Sequence, residues 1–532
     1  MNTRRFIPHR KLIAGTLAAI LWLAVFPFWL LGENTPLNAL VSDDVTIFTA
    51  FTRLTMQDYS SITRAKWDGM LLLTLLTLLM LPLAYRRHAP RKLPLALMLL
   101  FLLWTALSCR FGQFAGRLNA QGLPAFLWGS GRYEGLLTIV CYGLIFLAMR
   151  RTDSHLPTLL TVLSAAMAGY LAIVLLQYAG YNPFSLFPSG RSIRTNYEFQ
   201  GTIGNIDLVS AWVCLLMPGL LGSFVLGHSQ HWLHLPGGLC AVLLTLLMDV
   251  QSGLIVLALT LLALCLLALR HPDCLPRLLL TLGLTLLLLA LRKAILLPWL
   301  DFSDEICFAP GRFSLLTALL GALLIAAAPL LMRRLPPAVP KKWLLALLCV
   351  LLVGVLTAVA LLPTPEGGGV WELHELLNGR AQDSFGSERL GVWRITLEML
   401  RSSPWFGLSP DAFYLTFRDY LDATGQVILQ NFDNPHNFFL QTAIASGVPA
   451  LLLLVLLCGA AILCAWRCPA RRPLALMALG FLAQGMFTFS ICLTSPMFYC
   501  VLGLCAGTSA AHSPFPSDET KEVAHVFQQN VS

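Results

Sequence analysis
The stretch "NFDNPHNFFLQTAIASGVPALLLLV" begins at Asn431 and turns into membrane-type apolar sequence within a few residues. Asp433, Asn434, His436 and Asn437 crowd its start. An Asp or Asn followed by Pro is a favoured helix opening. This places His436 in the first turn of a helix that Gly447 ends, before Val448 enters the membrane. The free N–H groups and positive dipole of a helix start attract anions. They also disfavour an imidazolium, so His436 stays neutral and able to accept a proton. Such a histidine suits a general base working beside a phosphate. The same polar residues would equally serve as a cap that fixes an interfacial helix.

Further arginines gather nearby in the reading. In "SERLGVWRITLEMLRSSPWFGLSP", Leu390, Trp393, Leu397 and Leu400 recur at helical spacing, Ser387 caps the start, Glu388 suits the first turn and Pro404 ends the helix. Arg389 and Trp393 are one turn apart and share a side. A guanidinium there can bind phosphate through its planar fork. Alternatively the helix lies on the membrane, with Arg389, Arg394 and Arg401 among lipid head groups. "GRSIRTNYEFQGTIGN" brings Arg191 and Arg194 close to the turn Gly201–Asn205, and "WGSGRYEGLL" sets Arg132, Tyr133 and Glu134 at the start of a span. Arg292 and Lys293 interrupt an apolar run near its end, which marks either a functional site or two side chains snorkelling to the surface.

The elements that must hold these residues are membrane helices. Hydrophobic residues make up 57% of the 532, charged residues 12%, and the mean hydropathy is +0.72. A soluble domain carries about 25% charged residues. Composition therefore predicts an all-α polytopic membrane protein, with about 12–14 transmembrane helices of the length that crosses a bilayer. The net charge of +9 reads as Lys and Arg in short cytoplasmic loops. No basic stretch is long or interleaved with aromatics, so nucleic acid is not an expected partner. The 14 cysteines fall mostly in apolar runs and form no CxxC pair, so neither a zinc site nor a disulfide framework is expected. The start, "MNTRRFIPHRK" before Leu12–Leu31, reads as an uncleaved signal anchor.

Lys and Arg divide the loops. Arg4, Arg5, Arg10 and Lys11; Arg86, Arg87, Arg91 and Lys92; Arg150 and Arg151; Arg270 and Arg277; Arg333, Arg334, Lys341 and Lys342; and Arg467, Arg471 and Arg472 lie in alternate loops. These loops are assigned to the cytoplasm with both termini. The reading divides the chain into a transmembrane bundle over residues 1–362, a large outer loop over 363–447, further spans over 448–511 and a short cytoplasmic tail over 512–532. The C-terminal spans are placed at Val448–Trp466, Leu474–Cys492 and Met497–Ala511. A transporter should concentrate polar residues and broken helices near the bilayer midplane. Here polarity is stacked on the outer loops.

With these residues in place the chain resembles the O-antigen ligase and O-antigen polymerase superfamily of bacterial membrane glycosyltransferases. The resemblance rests on the R-x-x-x-W segment at Arg389 and Trp393, running on to Pro404 and Gly407. It rests also on H-N-x-x-L at His436, Asn437 and Leu440, and on "GTIGNID", similar to G-T-x-G-N-x-N with Asp207 in the last position. The S-R-G of the family has no arginine here: the matching turn is "DVQSGLI", with Ser252 and Gly253. The resemblance implies transfer of an undecaprenyl-diphosphate-linked glycan to an acceptor hydroxyl on a glycan, lipid or protein. It implies this at the outer face of the bacterial cytoplasmic membrane, among membrane lipid, with no cofactor and no metal. His436 and Arg389 are then the catalytic candidates. Asn437, Arg191, Arg194, Arg132, Arg292, Asn205 and Trp393 are the substrate-binding candidates, with Arg191, Arg194 or Arg292 replacing the missing arginine.

Overall fold
A computed structural model describes residues 9–31, 61–85, 91–119, 122–130, 132–187, 193, 197–296, 311–331, 335–362, 364, 366–430 and 432–507. Lipid offers no hydrogen bonds, so a spanning backbone must satisfy itself, and helices do this within one segment. Among the described residues ten helices are long and apolar enough to cross a membrane, and three shorter apolar helices join them. The chain is an all-α polytopic membrane protein.

The first part of the chain supplies α1 (His9–Ile20), α2 (Ser61–Ala84), α3 (Lys92–Phe111), the single turn α4 (Ala125–Trp128), α5 (Leu136–Arg150) and α6 (Leu156–Tyr178). A small antiparallel pair follows, β1 (Phe199–Gln200) with β2 (Gly204–Asn205). Then come α7 (Ile206–Val225), α8 (His231–Met248), α9 (Gln251–Arg270), α10 (Leu275–Leu296), α11 (Gly311–Leu331) and α12 (Lys341–Leu361). The large loop holds α13 (Gly369–Leu377), α14 (Arg389–Ser402) and α15 (Phe413–Thr424). The last helices are α16 (Phe438–Trp466), α17 (Arg472–Gln484) and α18 (Ser495–Ala506).

α7 is the axis of the bundle and is buried along its whole length. It packs between α8 and α17. Gly219 and Gly222 of α7 face Met477 and Leu476, while Gly480 of α17 lies against the carbonyl of Cys214. Small residues let membrane helices approach closely where no hydrophobic effect drives them together. At the other extreme, α12 buries none of its side chains within the molecule. After α1 the first span loses regular form through a π turn and a short 3-10 segment ending at Phe28. The carbonyls freed there are taken up by a fully buried lysine: Lys66 Nζ donates to Phe26 O (2.9 Å) and Pro27 O (2.7 Å).

The large loop builds its own core. Val392, Ile395 and Met399 of α14, Phe413, Phe417 and Leu421 of α15, and Ala443 and Ile444 of α16 pack together with Phe432. This corrects the expected apolar face of α14 in part: Leu400 is buried in this core as expected, but Leu397 is half exposed, and Val392, Ile395 and Met399 point inward as well. Both sets have helical spacing, and only the neighbouring helices decide which is covered. Ser387 does not cap α14 either, because Ser387 and Glu388 both have positive φ (56° and 65°). The Glu388 carboxylate instead accepts from the N–H groups of Leu429 (3.0 Å) and Gln430 (2.7 Å).

The span expected over Leu474–Cys492 is also corrected. α17 ends at Gln484 and residues 485–494 leave the helix before α18 begins. Gln441 replaces the lost helical bonds, accepting from Ser490 N (2.6 Å) and donating to Ser490 O (3.1 Å). Irregular backbone at this depth is tolerated where protein groups satisfy it.

Candidate active site
The expected helix start at Asp433 or Asn434 is displaced. α16 begins at Phe438, and its cap is Asn437, whose Oδ1 accepts from Phe439 N (3.1 Å) and Leu440 N (2.9 Å). The donors read as an anion site are thus already engaged. Asn434 Oδ1 takes the N–H of His436 (2.9 Å), and His436 has φ +48°. A residue with that backbone ends rather than continues a right-handed helix, so His436 stands just ahead of α16. Asn437 Nδ2 donates onward to Met486 O (3.0 Å), which ties this turn to the 485–494 segment. α16 itself breaks at Gly447, where φ is +85° and the backbone lies against the carbonyl of Trp405.

His436 sits between two phenylalanine rings. Phe432 approaches edge-on at 5.3 Å and Phe489 at 5.0 Å. Its Nδ1 is buried and makes no hydrogen bond. Burial pushes the imidazole down to about 3; the Arg389 charge adds to this, Asp433 opposes it, and Arg132 adds further. Neutrality, expected from a helix dipole, here arises from desolvation and two guanidiniums.

Those guanidiniums come from separate parts of the chain. Arg389, at the first turn of α14, pairs with Asp207 of α7 at 3.3 Å, and its Nε is buried with no hydrogen-bond partner. Arg132 pairs with the buried Asp433 at 2.5 Å, and its guanidinium lies 4.3 Å from the Phe489 ring centre. Trp393, one turn beyond Arg389, donates from Nε1 to Pro435 O (2.8 Å) and so holds the turn before His436. His436, Arg389, Arg132, Asn437 and Trp393 are therefore brought together.

Asn205 takes a capping role: its Oδ1 accepts from Asp207 N (2.9 Å) at the start of α7. The turn before it is held inside the bundle, with Gly201 N donating to Gln177 Oε1 (2.7 Å) and Thr202 Oγ1 to Pro27 O (2.7 Å). Arg292, near the end of α10, is buried and pairs with Asp249 at 3.0 Å. Asp249 opens the "DVQSG" turn, where the resemblance lacks its arginine. Burial raises the Asp249 carboxyl above the ordinary range, and Arg292 offsets part of this. Just before β1, Glu198 bears electrostatically on Asp207, and Asp249 bears on its neighbour Tyr197, so this short stretch lies within reach of both ion pairs. Arg191 and Arg194 lie outside the described residues.

Asp411, Gln441 and Ser490 were not anticipated in the site, and Glu134 had stood out only at the start of a span. A cavity of about 60 Å³ under the 433–434 turn is lined by Glu134, Asp411, Asp433, Asn434, Gln441 and Ser490. Glu134 accepts from Tyr142 (2.6 Å) and Ser490 (3.0 Å), and burial pushes its carboxyl up to about 8. Phe432 and Phe489 were missed too. The signal available was "QGMFTFSICLTSP", where glycine, serine, threonine and proline interrupt an apolar run. Among the described residues no three His, Cys, Asp or Glu side chains converge as metal ligands.

The fold and this cluster define a multi-pass membrane protein with a polar, arginine-rich centre where a folded loop meets the helix bundle. Residues 306–455 match the O-antigen ligase family, a range that contains Arg389, Trp393, His436 and Asn437. The chain thus carries a domain of the O-antigen ligase and polymerase superfamily, whose general role is polysaccharide assembly. No curated protein matches it.

Proposed function
We propose that the protein transfers a glycan from undecaprenyl diphosphate to an acceptor hydroxyl at the outer face of the bacterial cytoplasmic membrane. The observation that carries this reading is His436, with an unpartnered buried Nδ1, under the charges of both Arg389 and Arg132. In the reaction the acceptor oxygen forms a bond to the anomeric carbon, and the bond from that carbon to the diphosphate oxygen breaks. The hydroxyl proton goes to His436. The lipid diphosphate leaves with its charge offset by the guanidiniums of Arg389 and Arg132, an electrostatic contribution of the kind that dominates many enzymes. Donor binding also readies the base. A diphosphate beside the two arginines offsets the positive charges that hold the imidazole down, so its proton affinity rises when substrate is present. Arg292 supports the donor from the Asp249 turn, and transfer should proceed in EDTA.

The test uses the purified protein in lipid nanodiscs with an undecaprenyl-diphosphate glycan and glycan, lipid and protein acceptors in turn. Extended acceptor should appear in step with free undecaprenyl diphosphate. Failure to release the diphosphate with any acceptor, together with carriage of intact donor across a vesicle membrane, would replace this reading with a transporter.

A further inference from the structure
A second polar centre lies at the opposite end of α7. That helix has 20 residues, so its far end is about 30 Å from Asp207, the thickness of a bilayer core. There the chain turns at Gly227, with φ +69°, and Arg277 of α10 reaches in to donate from Nε to Val225 O (2.9 Å). Basic side chains accumulate around it. His231, His234, Arg277 and Arg472 all lie close enough to act on His228. His234 is satisfied by Ser223 (2.9 Å) and Pro157 O (3.2 Å). His228 Nε2 and Arg472 Nε are buried with no hydrogen-bond partner. Burial first, and then the neighbouring His234, Arg472, His231 and Arg277, push the His228 imidazole down to about 4. Asp273 is the carboxylate among the lining residues of this wall, and Arg277 is their guanidinium.

Beside this cluster opens a cavity of about 480 Å³ between the start of α8, α10 and the end of α11. Its polar end carries Arg277, His231 and Asp273, and its body is Leu280, Ile325, Ala328 and Pro329. The volume lies within the range of small-molecule sites, roughly 300–1,000 Å³. Trp232, exposed at the rim, is the side-chain type that marks a membrane–water boundary. An apolar slot with a guanidinium at its mouth, at that boundary, matches a molecule with an alkyl chain and an anionic head.

We infer that this cavity holds one acyl chain of an anionic phospholipid from the leaflet opposite the candidate active site, with the headgroup phosphate on Arg277 and His231. The bound lipid fastens the α10–α11 pair to the bundle. It thereby steadies the helix that carries Arg292 at its other end. This inference is independent of the transfer reaction.

The test measures lipid retention by native mass spectrometry, on full-length protein stripped in detergent and offered phosphatidylglycerol or phosphatidylcholine with the same chains. One arginine near a headgroup contributes about a fivefold preference, and wild-type protein should retain phosphatidylglycerol by at least about that factor. Arg277→Gln should abolish the preference, but Arg277 also caps α7 and its loss could disrupt folding. Ala328→Phe fills the slot without touching a charge and should remove the retained lipid while the protein elutes as a single folded species. Arg270→Gln, on the same end but outside the cavity, should change nothing. Equal retention of both lipids by wild type, or full retention by folded Ala328→Phe, would overturn the inference. So would glycerol 3-phosphate binding equally to wild type and Ala328→Phe, which would make this a small-anion site.

Discussion
Arg389 at the start of α14 and Asp207 at the start of α7 meet at 3.3 Å, although 182 residues separate them. The pair joins the folded large loop to the buried axis of the bundle. It also gives Asp207 a position in which it competes with any phosphate for the same guanidinium. Removing that competitor should strengthen donor binding, because a hydrogen bond to a charged group contributes roughly 1.5–3 kcal/mol. Asp207→Asn should lower the KM for donor about tenfold. Arg389→Lys keeps the charge but loses the planar fork and should lose most activity. Full activity with Lys, or an unchanged KM in Asp207→Asn, would show that Arg389 does not hold phosphate directly.

His436→Ala should leave an inserted protein of normal abundance that binds donor yet transfers about 10²–10⁴-fold more slowly, the usual loss for a general base. His436→Gln retains hydrogen-bonding capacity without basicity and should be nearly as slow. If histidine only packs between Phe432 and Phe489, Gln should work and Ala should chiefly lower abundance. Turnover at matched protein amounts decides between them.

Glu134 predicts a pH dependence. Its carboxyl is pushed up to about 8 from the ordinary 4.5, so between those values the fold holds a proton that the unfolded chain has released. Stability contributed by this group is therefore full below about 4.5 and is lost as pH rises toward about 8. Glu134→Gln cannot ionise. Relative to wild type its melting temperature in detergent should gain more at pH 8 than at pH 5. An equal shift at both values would mean that the buried carboxyl does not change its charge on folding.

The orientation of the bundle predicts a labelling pattern. Leu429 is 86% exposed on the large loop, which is proposed to face outward, whereas Lys341 begins α12, the helix that precedes that loop, on the proposed cytoplasmic side. In intact cells, and in a background without other accessible cysteines, an impermeant thiol reagent should reach Leu429→Cys and spare Lys341→Cys. The reverse pattern would invert the assigned topology and place the candidate site on the cytoplasmic face.

Much of this protein was legible before any coordinates. Apolar runs of bilayer length can only be satisfied as helices, so composition and run length determined an all-α membrane protein. Arg389 with Trp393 and His436 with Asn437 stood out because polar residues are costly beside a membrane. What sequence could not supply was which groups meet. A local pattern placed the α16 cap at Asp433 or Asn434, but Met486 and the 485–494 segment made Asn437 the cap and left His436 outside the helix. Leu474–Cys492 looked like a span because hydropathy averages over a window. Its few polar residues break it only because Gln441 and Glu134 are there to bond Ser490. The apolar face of α14 was ambiguous until α15 covered one side of it. Sequence by itself determined the solvent of the long apolar segments, since that depends on a residue's own transfer free energy. Tertiary structure alone decided the pairs Arg389–Asp207, Arg132–Asp433 and Arg292–Asp249, because each depends on helices distant in the chain arriving at one depth in the membrane.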